Sequence, residues 1–149
     1  MVQPALISSH VRVRICVHDV PGIAGETLWA KPLGNDRFQI ANVPLFAEGI
    51  NFGDVVLVCS DGDMGLTVRS VVERSGHRTV RVTVSMESSS LRLFLESLVL
   101  LFGVNIEGLA QGIYAIDVPP GANLLALHQL LDATDGVGTN KAEDSKSLH

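Results

Sequence analysis

The chain is predicted to be an α+β protein, an N-terminal small β-barrel-like unit packed on an incomplete ferredoxin-like (βαββα) half-plait. Apolar residues in the first half alternate with period two or form short runs between turns. After Gly76 the pattern changes to strand, helix, strand, strand, helix. Gly, Pro, Asn and Asp punctuate the changes. The boundaries read as 1–77 for the strand-rich unit, 78–132 for the half-plait and 133–149 for a disordered tail.

Val11, Val13, Ile15 and Val17 alternate with Arg12, Arg14, Cys16 and His18, the signature of a half-buried strand that Pro21 and Gly22 end. Thr27 to Lys31 reads as a second strand, Gly34-Asn35-Asp36 as its turn and Arg37 to Asn42 as the returning arm. Asp54 to Cys59 is a continuous apolar strand. A turn-rich loop from Ser60 to Gly65 leads into Leu66 to Arg74, where Leu66, Val68, Ser70 and Val72 are expected on one face. Five short strands with tight turns suit a small barrel or a strongly bent sheet.

In the second part Val80, Val82 and Val84 alternate with Thr79, Arg81 and Thr83. Ser88, Ser89 and Ser90 offer N-cap hydroxyls to a helix that stops at Gly103. Its Leu91, Phe94, Leu95, Leu98, Leu101 and Phe102 should lie on a sheet, with Arg92, Glu96 and Ser97 on the other side. Val104 to Leu109 and Ile113 to Val118 follow as strands, and Ala122 to Leu131 as a short amphipathic helix. From Asp132 onward there is too little apolar surface to offset the entropy of ordering, so the half-plait is expected to lack its last strand. With no flexible linker between Gly76 and Arg78, the two parts are expected to pack as one body.

At 149 residues the chain can bury a real core without staples. Its net charge of −5 lends no support to a basic footprint, so nucleic acid is not expected as a partner. Cys16 and Cys59 are widely spaced within apolar strands and read as buried free thiols, which points to a cytoplasmic location. The N-terminus has no secretory pattern, and the apolar run Leu91 to Val104 is interrupted and too short for a bilayer, so no membrane contact is expected.

The stretch from Glu26 to Val58 is the most individual in the chain. Phe38 and Phe52 read as ordinary core. Trp29 and Phe46, among Glu26, Asn42, Pro44, Glu48 and Asp54, combine flat apolar surface with hydrogen-bonding groups, as a recognition patch does. Glu73-Arg74-Ser75-Gly76-His77 could imitate a nucleophile and base with Asp54 as orienter. The plainer reading is stronger: a Ser-Gly turn, an exposed Glu73–Arg74 pair contributing under about 1 kcal/mol, and a histidine on a backbone carbonyl. No G-x-S-x-G elbow is present and no catalytic residue is assigned. Asp61-Gly62-Asp63 fails as an EF-hand loop, because Val72 stands where the bidentate Glu belongs. Cys16, His18, Cys59 and His77 lack zinc-site spacing, and no phosphate-cradling glycine motif follows a strand. No metal and no cofactor is therefore expected. Alternation aims Arg78 or Arg81 out of the sheet, where an acidic partner could be held, although a solvated face is the plainer reading.

Three blocks carry a resemblance: ETLWAKPLGNDRFQIANVPLFAEGINFGDVVLV, VVERSGHRTVRV and YAIDVPPGANLLALHQLLD. Together they resemble the bacterial domain of unknown function 4265 family in the Leu28-Trp29-Ala30 strand, the Asn42 to Gly49 turn, the Gly53 to Val56 strand and the Glu73 to His77 corner. Relatives continue past the last helix into a further strand-like segment, which this chain replaces with a polar tail. The resemblance implies no activity, since the family has none established.

The expectation is a non-enzymatic protein-binding module of immunity or adaptor type. Its patch comprises Glu26, Trp29, Asn42, Pro44, Phe46, Asp54, Glu73, Ser75, His77 and Arg81. The partner is another protein, with a homodimer as a second form of assembly. Two alternatives stand beside it: a small hydrolase using Ser75 and His77 with a carboxylate, and a small-molecule-sensing domain with a site along Gly103 to Gly112.

Overall fold

A computed structural model describes residues 9–18, 20–109 and 112–140. The chain divides into two compact units, the first ending at Ser75 and the second beginning at Gly76. That division places His77 with the second unit rather than with the strands before it.

The first unit is a closed barrel of β1 (Val11–Cys16), β2 (Gly25–Gly34), β3 (Arg37–Ile40), β4 (Val55–Ser60) and β5 (Leu66–Glu73), in that order. Neighbours are antiparallel except at the seam, where β1 meets β5 in parallel through Arg14 and Thr67. The β2–β3 turn is made by Asn35 and Asp36, both at positive φ, the conformation a tight hairpin requires. Val13, Ile15, Leu28, Ala30, Ile40, Val56 and Val58 fill the interior, joined by Ala47 and Ile50 from the connection between β3 and β4.

Two expectations are corrected here. The pairing of β4 with β5 shifts register between Leu57 and Val58, leaving Arg69 as an extra residue. The bulge reverses the alternation, so Val71 packs on the core and Val72 is exposed, and the expected shared face of Leu66, Val68, Ser70 and Val72 breaks at Ser70. Cys16 and Cys59 are free thiols, but Cys16 is exposed and Cys59 half-buried, because both lie on the outward face of their strands.

The second unit runs β6 (Arg78–Val84), α1 (Ser88–Phe102), β7 (Asn105–Leu109), β8 (Ile113–Val118), α2 (Leu124–Ala133) and β9 (Val137–Asn140). Its sheet has the order β7-β8-β6-β9 with antiparallel neighbours. Val80, Val82, Ile116 and Val118 pack with Leu98 of α1 and with Leu127 and Leu131 of α2. Gly103 ends α1 at φ 67°, its N–H returning to the Val99 carbonyl. Asn123 caps α2 through its side chain, accepting from the Ala126 N–H at 2.9 Å.

β9 overturns part of the expected disordered tail, since residues 137–140 pair with the inner strand β6. The backbone ladder to an already buried strand holds this segment, where its own apolar content would not. The expected tail at 141–149 lies outside the described residues. The serines 88–90 lie inside the first turn of α1, and Glu87 is the N-cap, with no side-chain capping bond. The outer face of α1 also differs from expectation. Arg92 and Glu96 are exposed as a pair, but so are Leu93, Val99, Leu100 and Leu101. Among the described residues no helix is long and apolar enough to cross a membrane.

Candidate functional site

The connection from Ala41 to Asp54 forms neither helix nor strand, so its amides must find partners outside a regular ladder. Side chains supply several of them. Glu26 of β2 accepts from three consecutive N–H groups, Leu45 at 2.6 Å, Phe46 at 3.0 Å and Ala47 at 2.9 Å. Asn42 accepts the Trp29 N–H through Oδ1, while the Trp29 carbonyl accepts from the Ala41 N–H at 2.9 Å. Pro44 is buried, and Phe46 packs against the barrel core. These residues hold the connection against β2.

Asp54 is 0% exposed, so it is no part of an outward-facing surface. Its Oδ2 accepts from the Asn51 N–H at 2.9 Å and its Oδ1 from the Ser75 N–H at 2.8 Å, with Arg74 Nη1 3.7 Å away. Arg74 also donates to the Gly49 carbonyl at 2.8 Å, and Ser75 Oγ donates to the Phe52 carbonyl at 2.6 Å. The carboxylate thus ties the end of the connection to the end of β5. A buried carboxylate is tolerable because backbone N–H groups solvate it. Glu73 is exposed beside this staple.

His77 and Arg81 belong to the second unit. His77 Nδ1 lies 2.7 Å from Asp117 Oδ1, and Asn105 Nδ2 donates to Asp117 Oδ2 at 3.3 Å. Asp117 is buried on β8, in register with Thr79 and Asn105. His77 thus pairs with a buried carboxylate, a partner not expected from the sequence. Arg81 is half-buried on the sheet face that carries Thr79. Asp117 and Asn105 were missed in the sequence. The signal was a lone acid in the apolar strand IYAIDV, which has to find a donor.

Two surfaces carry exposed groups with no such internal task. On the barrel, Trp29 is 38% exposed and the Arg12 guanidinium carbon stands 5.0 Å from its ring centroid. Beside them is a groove of about 380 Å³ lined by Arg12, Arg14, Thr27, Asp63, Met64 and Leu66. In the second unit an apolar groove of about 540 Å³ lies between α1 and β7, lined by Leu95, Glu96, Val99, Leu100, Ile106, Gly108 and Tyr114. Elsewhere on the barrel Arg69 donates to Cys59 Sγ at 2.7 Å, and that bond raises the arginine above its ordinary pKa. Among the described residues no three His, Cys, Asp or Glu side chains gather as metal ligands would.

The geometry defines an α+β protein made of a closed five-stranded barrel and a four-stranded sheet carrying two helices. The chain belongs to the family described as Domain of unknown function (DUF4265), whose model matches residues 26–141. It is similar in fold to the crystal structure of a hypothetical protein from Neisseria gonorrhoeae, with 19% identity and a TM-score of 0.75 over 89% of this chain and 94% of that one. No curated protein matches it.

Proposed function

We propose that this protein is a non-enzymatic binding module that recognises another protein through the outer face of β1 and β2. The carrying observation is Trp29. The chain's single tryptophan remains 38% exposed, with its backbone fixed by Asn42 and Ala41 and its ring accompanied by Arg12. A rigid aromatic beside arginines and a half-exposed Met64 has the composition of a binding hot spot. Arg12 and Arg14 outnumber Asp63 in the adjoining groove, which favours a partner segment bearing carboxylates. Ser75 and Asp54 are engaged with backbone groups, which speaks for binding rather than hydrolysis. An adaptor or immunity protein is the class that works through such a surface. We also read the second unit as a ferredoxin-like plait completed by β9, a reading supported by the strand order β7-β8-β6-β9.

The test is affinity capture from the cell extract in which the protein is made, with wild type, Trp29→Ala and Arg12→Ala as baits. One identified protein should be retained by wild type and lost from both variants. The reading is abandoned if nothing retained depends on either residue while both baits keep native circular dichroism.

A further inference from the structure

The geometry points to self-association: two copies of the chain pair about a two-fold axis through α1 and the outer edge of β7, each placing Leu100 into the other's groove. This goes beyond the barrel-face reading and uses a different unit. Leu93 and Leu100 are 68% and 84% exposed, and seven residues apart on a helix they differ in direction by only about 20°. Val99 is exposed on the flank that borders the groove.

The hollow beside the row is floored by Ile106, Gly108 and Tyr114, with the Tyr114 ring lying over the glycine. A Cβ there would stand 2.7 Å from the Tyr114 ring, which lies across the glycine from the neighbouring strand. The same patch therefore offers a projecting leucine and an apolar hollow, as a two-fold contact requires. The strand contributes too. β7 ends its sheet, and among the described residues its outer edge pairs with no other strand. It has neither Pro nor Lys to discourage pairing, and an antiparallel match with its own copy would extend the sheet.

Area and charge favour a copy over an unrelated partner. Leu93, Val99 and Leu100 are 68%, 44% and 84% exposed, and the strand edge and groove walls add to the area that two copies would bury. Arg92 and Glu96 neutralise each other within one chain at 3.0 Å, so the helix side of the patch carries no net charge in an otherwise acidic protein.

Sedimentation equilibrium of the full chain from about 1 to 100 μM tests this. Wild type should show twice the mass of one chain, and Leu100→Glu and Leu93→Glu should each raise the dissociation constant at least about tenfold with unchanged circular dichroism. Leu125→Glu, at an exposed leucine of α2 outside the groove, should leave the dimer intact, as should Trp29→Ala. A single-chain mass throughout that range overturns the proposal, as does a dimer indifferent to Leu100→Glu or equally weakened by Leu125→Glu. A monomer that holds a different protein through Leu100 overturns it as well. The Trp29→Ala arm separates this result from failure of the barrel-face reading.

Discussion

The barrel and the helix-bearing sheet solve the same burial problem with different residues. In the barrel, the connection from Ala41 to Asp54 lacks a regular ladder, and Glu26, Asn42 and Asp54 stand in for one by accepting its amides and those of neighbouring strands. In the second unit the helices and strands satisfy their own backbones, and its core is an aliphatic layer of Val80, Val82, Leu98, Ile116 and Leu127. What differs is where the surplus chemistry goes. The barrel turns distinctive polar residues inward to serve backbone amides, whereas the second unit buries Asp117 against the side chains of His77 and Asn105 and turns ordinary leucines outward. Glu26, Asn42 and Asp54 are thus distinctive in the sequence because they substitute for missing backbone partners.

Removing the deepest polar pin gives the largest effect and the sharpest way to break this comparison. Asp54→Ala strands the Asn51 and Ser75 amides and leaves Arg74 without its buried counter-charge, and should lower unfolding stability by about 3–5 kcal/mol. Trp29 fluorescence in a denaturant titration reads the barrel. A loss below about 1 kcal/mol would mean that the connection is held by packing alone. Leu98→Ala comes next. It is fully buried in the aliphatic layer, and its truncation should remove about 3 kcal/mol. Hydrogen exchange at β6 and β8 measures it. If those amides keep wild-type protection, the second unit does not rest on that layer.

Much of the fold is legible in the letters, because alternation and turn residues are local. β1, the β2–β3 hairpin, β6 and α1 follow directly from spacing. β9 was not legible: VGTN contributes one core valine, and its order comes from a strand more than fifty residues earlier in the chain. The bulge at Arg69 was hidden for a related reason, since it is defined by the partner strand's register. The candidate site was less legible still. Asp54 reads as a surface acid until Ser75, twenty-one residues on, presents its amide, and Asp117 meets His77 across forty residues. Leu101, expected on the sheet, is 68% exposed, because α1 is apolar around most of its circumference and periodicity alone does not choose the face that is left over.

A third change sharpens the barrel side of the comparison. Glu26→Gln keeps the shape but replaces an ionised acceptor of three amides with a neutral one, and one terminal oxygen becomes a donor facing an N–H. The expected loss is about 1–2 kcal/mol, read by Trp29 fluorescence. Exchange of the Leu45, Phe46 and Ala47 amides should quicken more than that of β4. Uniform quickening over the whole barrel would show that the pin acts globally rather than on its connection.

The smallest effect is expected two residues from one of the largest. Leu100→Ala removes as many atoms as Leu98→Ala, from the same helix and with the same gain in helix propensity. Yet Leu100 is 84% exposed and has almost nothing to lose in a single chain. At concentrations where the chain is monomeric, its unfolding free energy should change by less than about 0.5 kcal/mol. At higher concentration the substitution should cost stability, because a species that binds only the folded form stabilises it by mass action. Denaturant midpoints measured over a hundredfold dilution separate the two regimes. A concentration-independent loss would place Leu100 in the chain's own core, whereas a midpoint that moves with concentration in wild type and stands still in Leu100→Ala assigns its value to the contact between copies.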